Sequence, residues 1–81
     1  MKYLQFSSTW CGPCKMLTPI MEQVKAQGIP VEKIDVDANP DMSTKFGIRS
    51  VPTVILVDNS GNEVKRTTGV QTADFYISNF K

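Results

Sequence analysis

The apolar residues of this 81-residue chain follow two spacings that alternate along the sequence. Some short stretches are continuously apolar, or apolar at every second position, which is typical of strands. In other stretches apolar residues recur every three or four positions, as in an amphipathic helix. The order is βαβαββα, which predicts an α/β protein with one mixed four-stranded sheet and helices on both faces. The length predicts a single domain over residues 1–81.

The first predicted strand covers residues 3–7. Leu4 and Phe6 lie on one face of it by the two-residue period, and Tyr3 and Gln5 lie on the other. If helices cover both faces, Gln5 is buried, and its amide then needs hydrogen-bond partners.

A long helix is predicted over about residues 14–27. Its apolar stripe has helical spacing and consists of Leu17, Ile20, Met21 and Val24. Pro13 suits the first turn, whereas Pro19 removes one backbone hydrogen bond and predicts a kink. Gly28 is a suitable stop. Because this helix connects the first two strands, we expect those strands to be parallel.

Five further elements are predicted along the rest of the chain. A second strand is predicted over residues 31–37 and a short helix over 40–46. Two strands joined by a hairpin turn follow at 54–57 and 63–68, and a last helix covers 73–80. The continuous apolar run of the third strand predicts a central position, buried on both faces. Lys65 and Arg66 suit an edge strand, and Thr72 is the expected N-cap of the last helix.

The charge balance excludes several classes of partner. Nine basic and eight acidic residues give a net charge of +1, which argues against nucleic-acid or membrane partners attracted by bulk charge. The sequence shows neither an apolar stretch of membrane-spanning length nor a signal-peptide pattern, so we expect a cytoplasmic protein. The absence of His from the sequence excludes His-based metal sites and Cys-His catalytic pairs.

The pentapeptide from Trp10 to Cys14 carries the candidate chemistry. It contains the single Trp and both Cys of the chain, placed between a predicted strand and helix. A helix N-terminus favours the thiolate form of a cysteine, and the thiolate is the nucleophile in disulfide exchange. We expect Cys11 to be exposed and to attack a target disulfide. Cys14, one turn further, would then resolve the mixed disulfide.

Two plainer interpretations of the cysteines compete with this one. The pair could be inert buried thiols, but a Gly-Pro spacer at a helix start would then be a coincidence. It could also form half of a zinc or iron–sulfur site shared across a dimer. Two Cys without His provide too few ligands for a zinc site within one chain, so we predict no metal.

Residues 10–15, with the sequence WCGPCK, resemble the active-site signature of the thioredoxin family. The resemblance covers nearly the whole chain and extends to residues 16–20, 34–40 and 46–53 and to Gly61 and Gly69. It implies a minimal thioredoxin fold with strand order 2-1-3-4. It also implies reduction of protein disulfides by Cys11 and Cys14, with no cofactor besides their own redox-active disulfide.

The resemblance also implies roles for other residues. Pro52 matches the family's cis-proline, although without the motif an ordinary trans proline at a strand start would be assumed. Val51 would then offer its backbone to an extended substrate. The substrate-docking rim would consist of Trp10, Gly12, Pro13, Val51 and Gly69. Lys33 matches a Lys near the family's active site, and a solvated strand Lys is the equal alternative.

The chain departs from the family pattern in three ways. It lacks the N-terminal strand and helix of typical thioredoxins, which predicts an exposed sheet edge at residues 31–37. The position six residues before Cys11, where the family carries a buried Asp, is Gln5. An amide cannot accept the proton of Cys14. Ser7 stands where the family carries an aromatic residue, which lightens the packing behind the site.

The expected partners are disulfide-containing proteins and an electron donor, with the chain itself a monomer. The Gly-Pro spacer and Trp10 favour a flavin-dependent thioredoxin reductase as donor. The short core favours glutathione and a glutaredoxin-like activity. A binding or assembly module with an incidental dithiol is the alternative from another class. An oxidase or isomerase would require export.

Replacing Gln5 by Asp tests the missing proton acceptor. Because Gln5 cannot act as a base, we expect resolution by Cys14 to be slower at neutral pH than with a carboxylate. Gln5→Asp should therefore change the pH dependence of disulfide reduction, measured as turnover across neutral pH. An unchanged pH profile in Gln5→Asp, beside the wild-type chain at equal concentration, would count against this expectation.

Overall fold

The structure, a computed structural model, describes residues 1–80 of the chain. Within this range it has four strands and three helices in the predicted order. Their bounds are β1 Lys2–Ser7, α1 Gly12–Ala26, β2 Val31–Asp35, α2 Pro40–Lys45, β3 Thr53–Val57, β4 Glu63–Thr68 and α3 Ala73–Asn79. None of these helices is long and apolar enough to cross a membrane.

The four strands form one mixed sheet in the order β2-β1-β3-β4. β1 pairs parallel with β2 and antiparallel with β3, and β3 pairs antiparallel with β4. The predicted order and the edge position of β2 are therefore confirmed. β3 is buried along its whole length, as its continuous apolar run predicted.

The helices cover both faces of the sheet, as predicted. α1 and α3 contact each other and share one core with the sheet, formed by Tyr3, Leu17, Met21, Val24, Ile29, Val54, Leu56 and Tyr76. The residues of the other face cluster with partly buried side chains in and after α2, and this smaller core consists of Leu4, Phe6, Ile34, Ile55 and Val57. The alternation in β1 thus directs Tyr3 toward α1 and Leu4 toward α2.

Two element boundaries differ from the sequence prediction by two residues, for reasons visible in the local hydrogen bonds, and the others agree within one residue. α1 begins at Gly12, two residues early, because Cys11 caps it. β2 ends at Asp35 instead of continuing to residue 37. The Asp35 Oδ1 accepts the backbone N–H groups of Asp37 and Ala38 and so fixes a turn directly after the strand.

A tyrosine pair joins the start of the sheet to the last helix. The Tyr3 hydroxyl donates to the backbone carbonyl of Tyr76 at 2.5 Å, and the two rings meet edge to face. Burial, together with the neighbouring Tyr76 phenol, raises the pKa of Tyr3 from 10.0 to about 12. The fold therefore favours the neutral phenol of Tyr3. Stability from this group is fully present below pH 10 and is lost as pH rises through about 12.

Tyr3→Phe tests this contact. The variant leaves a buried carbonyl without its donor, and we expect its free energy of unfolding at pH 7 to fall by about 1–2 kcal/mol. It should also lose stability less steeply than the wild-type chain from pH 10 to 12, because residue 3 no longer titrates. Urea unfolding at several pH values measures both effects. Equal alkaline slopes in the two proteins would contradict the assignment to Tyr3.

Candidate functional site

The two cysteines lie where the loop after β1 enters α1. They form a disulfide that spans the first turn of the helix. Cys11 is the N-cap, and its sulfur accepts the backbone N–H of Cys14 at 3.2 Å. This N–H is one of the donors that the start of a helix leaves without intrahelical partners. A negative charge on the Cys11 sulfur is therefore favoured by both the donor and the helix dipole.

The expectation that Cys11 is exposed is wrong for the oxidised chain. Only 4% of Cys11 and 2% of Cys14 is exposed. The Cys11 sulfur is bonded to that of Cys14 and lies 3.6 Å from the carbonyl oxygen of Val51. The loop before β3 therefore covers the sulfur that the helix terminus alone would leave open.

Val51 and Pro52 lie directly beside the disulfide. The peptide bond between them is cis, the conformation that the resemblance implied. Pro52 is buried, and its carbonyl accepts the N–H of Gly69 at 2.9 Å. This bond brings the end of β4 to the same region. Val51 makes no backbone hydrogen bond to any residue between 1 and 80, and the disulfide sulfur of Cys11 has no hydrogen to donate to its carbonyl, so both of its peptide groups remain available.

The helix side of the site is formed by exposed residues. Gly12 and Pro13 are exposed in the first turn of α1. The Trp10 side chain is 71% exposed, so it does not serve as a buried packing residue. Its Nε1 donates to the Asp37 carboxylate at 3.1 Å. Nothing in the spacing of the sequence linked Asp37 to Trp10, since the contact forms across the fold.

A groove of about 320 Å³ runs beside the indole of Trp10. Its apolar walls include Val36, Ile48 and Val51, and Arg49 lines it as well. The groove begins at the disulfide loop and continues along α2. An extended chain segment fits such a surface, because apolar side chains can enter it while the free peptide groups of Val51 bind the backbone.

A second cleft, of about 460 Å³, lies on the other side of the disulfide. Cys14, Lys33 and Thr18 line it. The Lys33 ammonium donates to the Thr18 hydroxyl at 3.4 Å, and this hydroxyl donates to the Cys14 carbonyl at 3.2 Å. Lys33 thus faces Cys14 as well as solvent. Thr18 was not predicted as a site residue, because threonine within a helix gives no distinguishing signal.

Gln5 is buried in the sheet with 2% of its surface exposed, as expected for a strand covered on both faces. Its Nε2 atom finds no hydrogen-bond partner in the described part of the chain. Within residues 1–80 no group of three or more His, Cys, Asp or Glu side chains could hold a metal ion.

Comparison with known proteins identifies what the chain resembles. The thioredoxin family model matches residues 2–81. A thioredoxin of Chlamydia muridarum is 42% identical over 76 residues, which are 91% of this chain and 74% of that protein. A bifunctional thioredoxin reductase/thioredoxin of Mycobacterium leprae is 42% identical over 71 residues, 84% of this chain and 15% of that protein. The structure of a mutant thioredoxin from Halobacterium salinarum superposes with a TM-score of 0.87 at 38% identity, covering 94% of this chain and 67% of that one.

Asp37→Ala tests whether the carboxylate holds the indole in place. Trp10 is the single Trp, so its fluorescence reports on one site. Loss of the acceptor should free the exposed ring, and we expect the fast component of its anisotropy decay to grow. Asp41→Ala, which removes an exposed carboxylate from α2, is the matched control. Identical decays in all three proteins would show that Asp37 does not restrain the indole.

Proposed function

The chain belongs to the thioredoxin family of thiol-disulfide oxidoreductases, and on this premise we propose that Cys11 is its nucleophile and Cys14 its resolving thiol. One observation carries the assignment. The Cys11 sulfur caps α1 and accepts the N–H of Cys14, so the helix start favours a thiolate at Cys11. Cys14 lies one turn further and within bonding reach.

The reaction transfers two electrons from the dithiol to the target. The Cys11 thiolate attacks one sulfur of the target disulfide, that S–S bond breaks, and the released target thiolate takes a proton from solvent. Cys14 then gives up its proton and attacks the Cys11 sulfur. The mixed disulfide breaks, the second target thiolate leaves and is protonated, and the Cys11–Cys14 disulfide remains.

Target proteins would dock across the loop that covers Cys11. The free peptide groups of Val51 would pair with an extended target segment, with Pro52 holding the loop beside the disulfide. The rim of this site would consist of Trp10, Gly12, Pro13, Val51 and Gly69, of which Val51 and Gly69 are half-buried. Because Cys11 is covered in the oxidised chain, we infer that opening of the disulfide and docking of the target expose its sulfur together.

A thioredoxin reductase is the proposed electron donor. The fusion of a reductase to a thioredoxin in the Mycobacterium leprae relative supports this choice. Glutathione is the second donor to be tested.

Net reduction of targets requires a compartment that keeps thiols reduced, so we propose that the protein works in the cytoplasm. We also propose a monomer of one domain, since Glu32 and Lys33 place charge on the free edge of β2.

An insulin-reduction assay with two donors tests the function. We expect turnover with NADPH and a bacterial thioredoxin reductase, and little with glutathione and glutathione reductase. Cys11→Ser should reduce the rate to that of the donor alone, because no nucleophile remains. Lys2→Met, on the exposed surface far from the dithiol along β1, is the control and should retain full turnover.

Cys14→Ser separates the two cysteine roles. Without a resolving thiol, the mixed disulfide between Cys11 and the target should accumulate and be visible by non-reducing mass analysis. No turnover with either donor in the wild-type chain would refute the proposed activity. Full biological function of Cys11→Ser would instead support a binding module in which the dithiol is incidental.

A further inference from the structure

The buried amide of Gln5 has an unused donor. Its side chain lies within the sheet, and Nε2 lacks a hydrogen-bond partner among residues 1–80. An unsatisfied buried N–H is costly, and native structures rarely keep one without a reason. The oxidised chain therefore retains a donor that some other state of the protein could satisfy.

The strand register places this amide next to the cleft of Cys14. Gln5 pairs with Lys33 on β2 and with Val54 on β3. Ser7, two residues along β1, lies on the same face as Gln5. Ser7, Lys33 and Cys14 all line the cleft of about 460 Å³. The side chain of Gln5 is thus flanked by two residues of the cleft wall, beneath the first turns of α1.

The charges around Cys14 come from α1 and from the end of β2. Lys15 and Lys33 line the cleft as cations, and Asp35 lines it as the carboxylate. The Asp35 Oδ1 is occupied by the N–H groups of the turn that follows β2. From β1 the cleft receives Ser7, and Gln5 lies buried behind the wall beside Lys33; neither side chain carries a charge. Arg49 lines the opposite groove. The nearest groups therefore favour an anion at Cys14.

We propose that Gln5 and Lys33 stabilise the thiolate of Cys14 once Cys11 is held in the mixed disulfide, with the Gln5 amide donating its unused N–H to the Cys14 sulfur. Opening the disulfide turns the Cys14 sulfur into an acceptor, and the Lys33 ammonium lies across the cleft, linked to Cys14 through Thr18. The thiol proton leaves to water through the open cleft. Both residues are positioning residues for the resolving step, and the inference rests on the function proposed above.

This arrangement activates the resolving cysteine by stabilising its anion. A hydrogen bond to a charged form favours that form, as does an opposite charge nearby. The thiolate then attacks the Cys11 sulfur of the mixed disulfide without a side-chain base taking its proton. The same amide has no partner in the oxidised chain, so its hydrogen bond forms only when the bond between Cys11 and Cys14 is open.

A thiolate titration in a Cys11→Ser background tests the proposal, because Cys14 is then the single cysteine. The ultraviolet absorbance of the thiolate is followed against pH in this background and after adding Gln5→Met or Lys33→Met. We expect each added change to lower the thiolate fraction at pH 7 by roughly three- to tenfold. Burial raises the pKa values of Tyr3 and Tyr76, so phenolate absorbance stays out of the thiolate range.

Lys2→Met in the same background is the control and should leave the titration unchanged, since Lys2 is exposed and pairs with Glu32. If neither Gln5→Met nor Lys33→Met shifts the midpoint of the Cys14 titration, the proposal is overturned.

A second measurement tests the Gln5 donor by itself. Gln5→Met should not lower the melting temperature of the oxidised chain, because the amide has no partner there. A clear fall in the melting temperature would show that the Gln5 amide has a hydrogen-bond partner in the oxidised chain, and this result would also overturn the proposal.

The titration does not require turnover, so the two proposals can fail separately. An inactive wild-type chain whose Cys14 still titrates as expected would refute the disulfide reductase and leave the thiolate stabilisation standing. Normal insulin reduction with an unshifted titration in both variants would do the reverse.

Discussion

The chemistry of this protein depends on the hydrogen bond between the Cys11 sulfur and the backbone N–H of Cys14. That one contact caps α1, starts the helix at Gly12 and places both sulfurs at the positive end of its dipole. A cap is ordinarily an oxygen of Ser, Thr, Asp or Asn. Here the capping atom is also the proposed nucleophile, so the same interaction that begins the helix favours the reactive form of the cysteine.

The sheet decides what surrounds this helix start. β1 and β3 are its central strands, and β1 leads directly into the loop that carries the dithiol. The segment before β3 brings Val51 and Pro52 against the Cys11 sulfur, and the bond from Gly69 to Pro52 adds the end of β4. Three separate segments therefore meet at one disulfide. The burial of β3 on both faces fixes their relative position, because a shift of register would expose its apolar side chains.

The two sides of the disulfide have different chemical character. On the side of Trp10 the surface is an apolar groove with free peptide groups, which suits an extended polypeptide. On the side of Cys14 it is a polar cleft with Lys33 and the hydroxyl of Thr18. Cys11, the proposed nucleophile, lies under the loop that carries Val51, whereas Cys14, the proposed resolving thiol, lines the cleft. In the proposed mechanism a target would occupy the first side while the proton of Cys14 leaves by the second.

The sequence by itself determined the order and class of the elements, the capped start of α3 and the candidate dithiol. These follow from local periodicity, turn chemistry and the spacing of two cysteines, all of which act over a few residues. Only the tertiary structure decided that Cys11 is covered, that Asp37 holds the indole of Trp10, and that the amide of Gln5 has no partner. Each of these depends on which segments meet across the fold, and local patterns carry no information about such contacts.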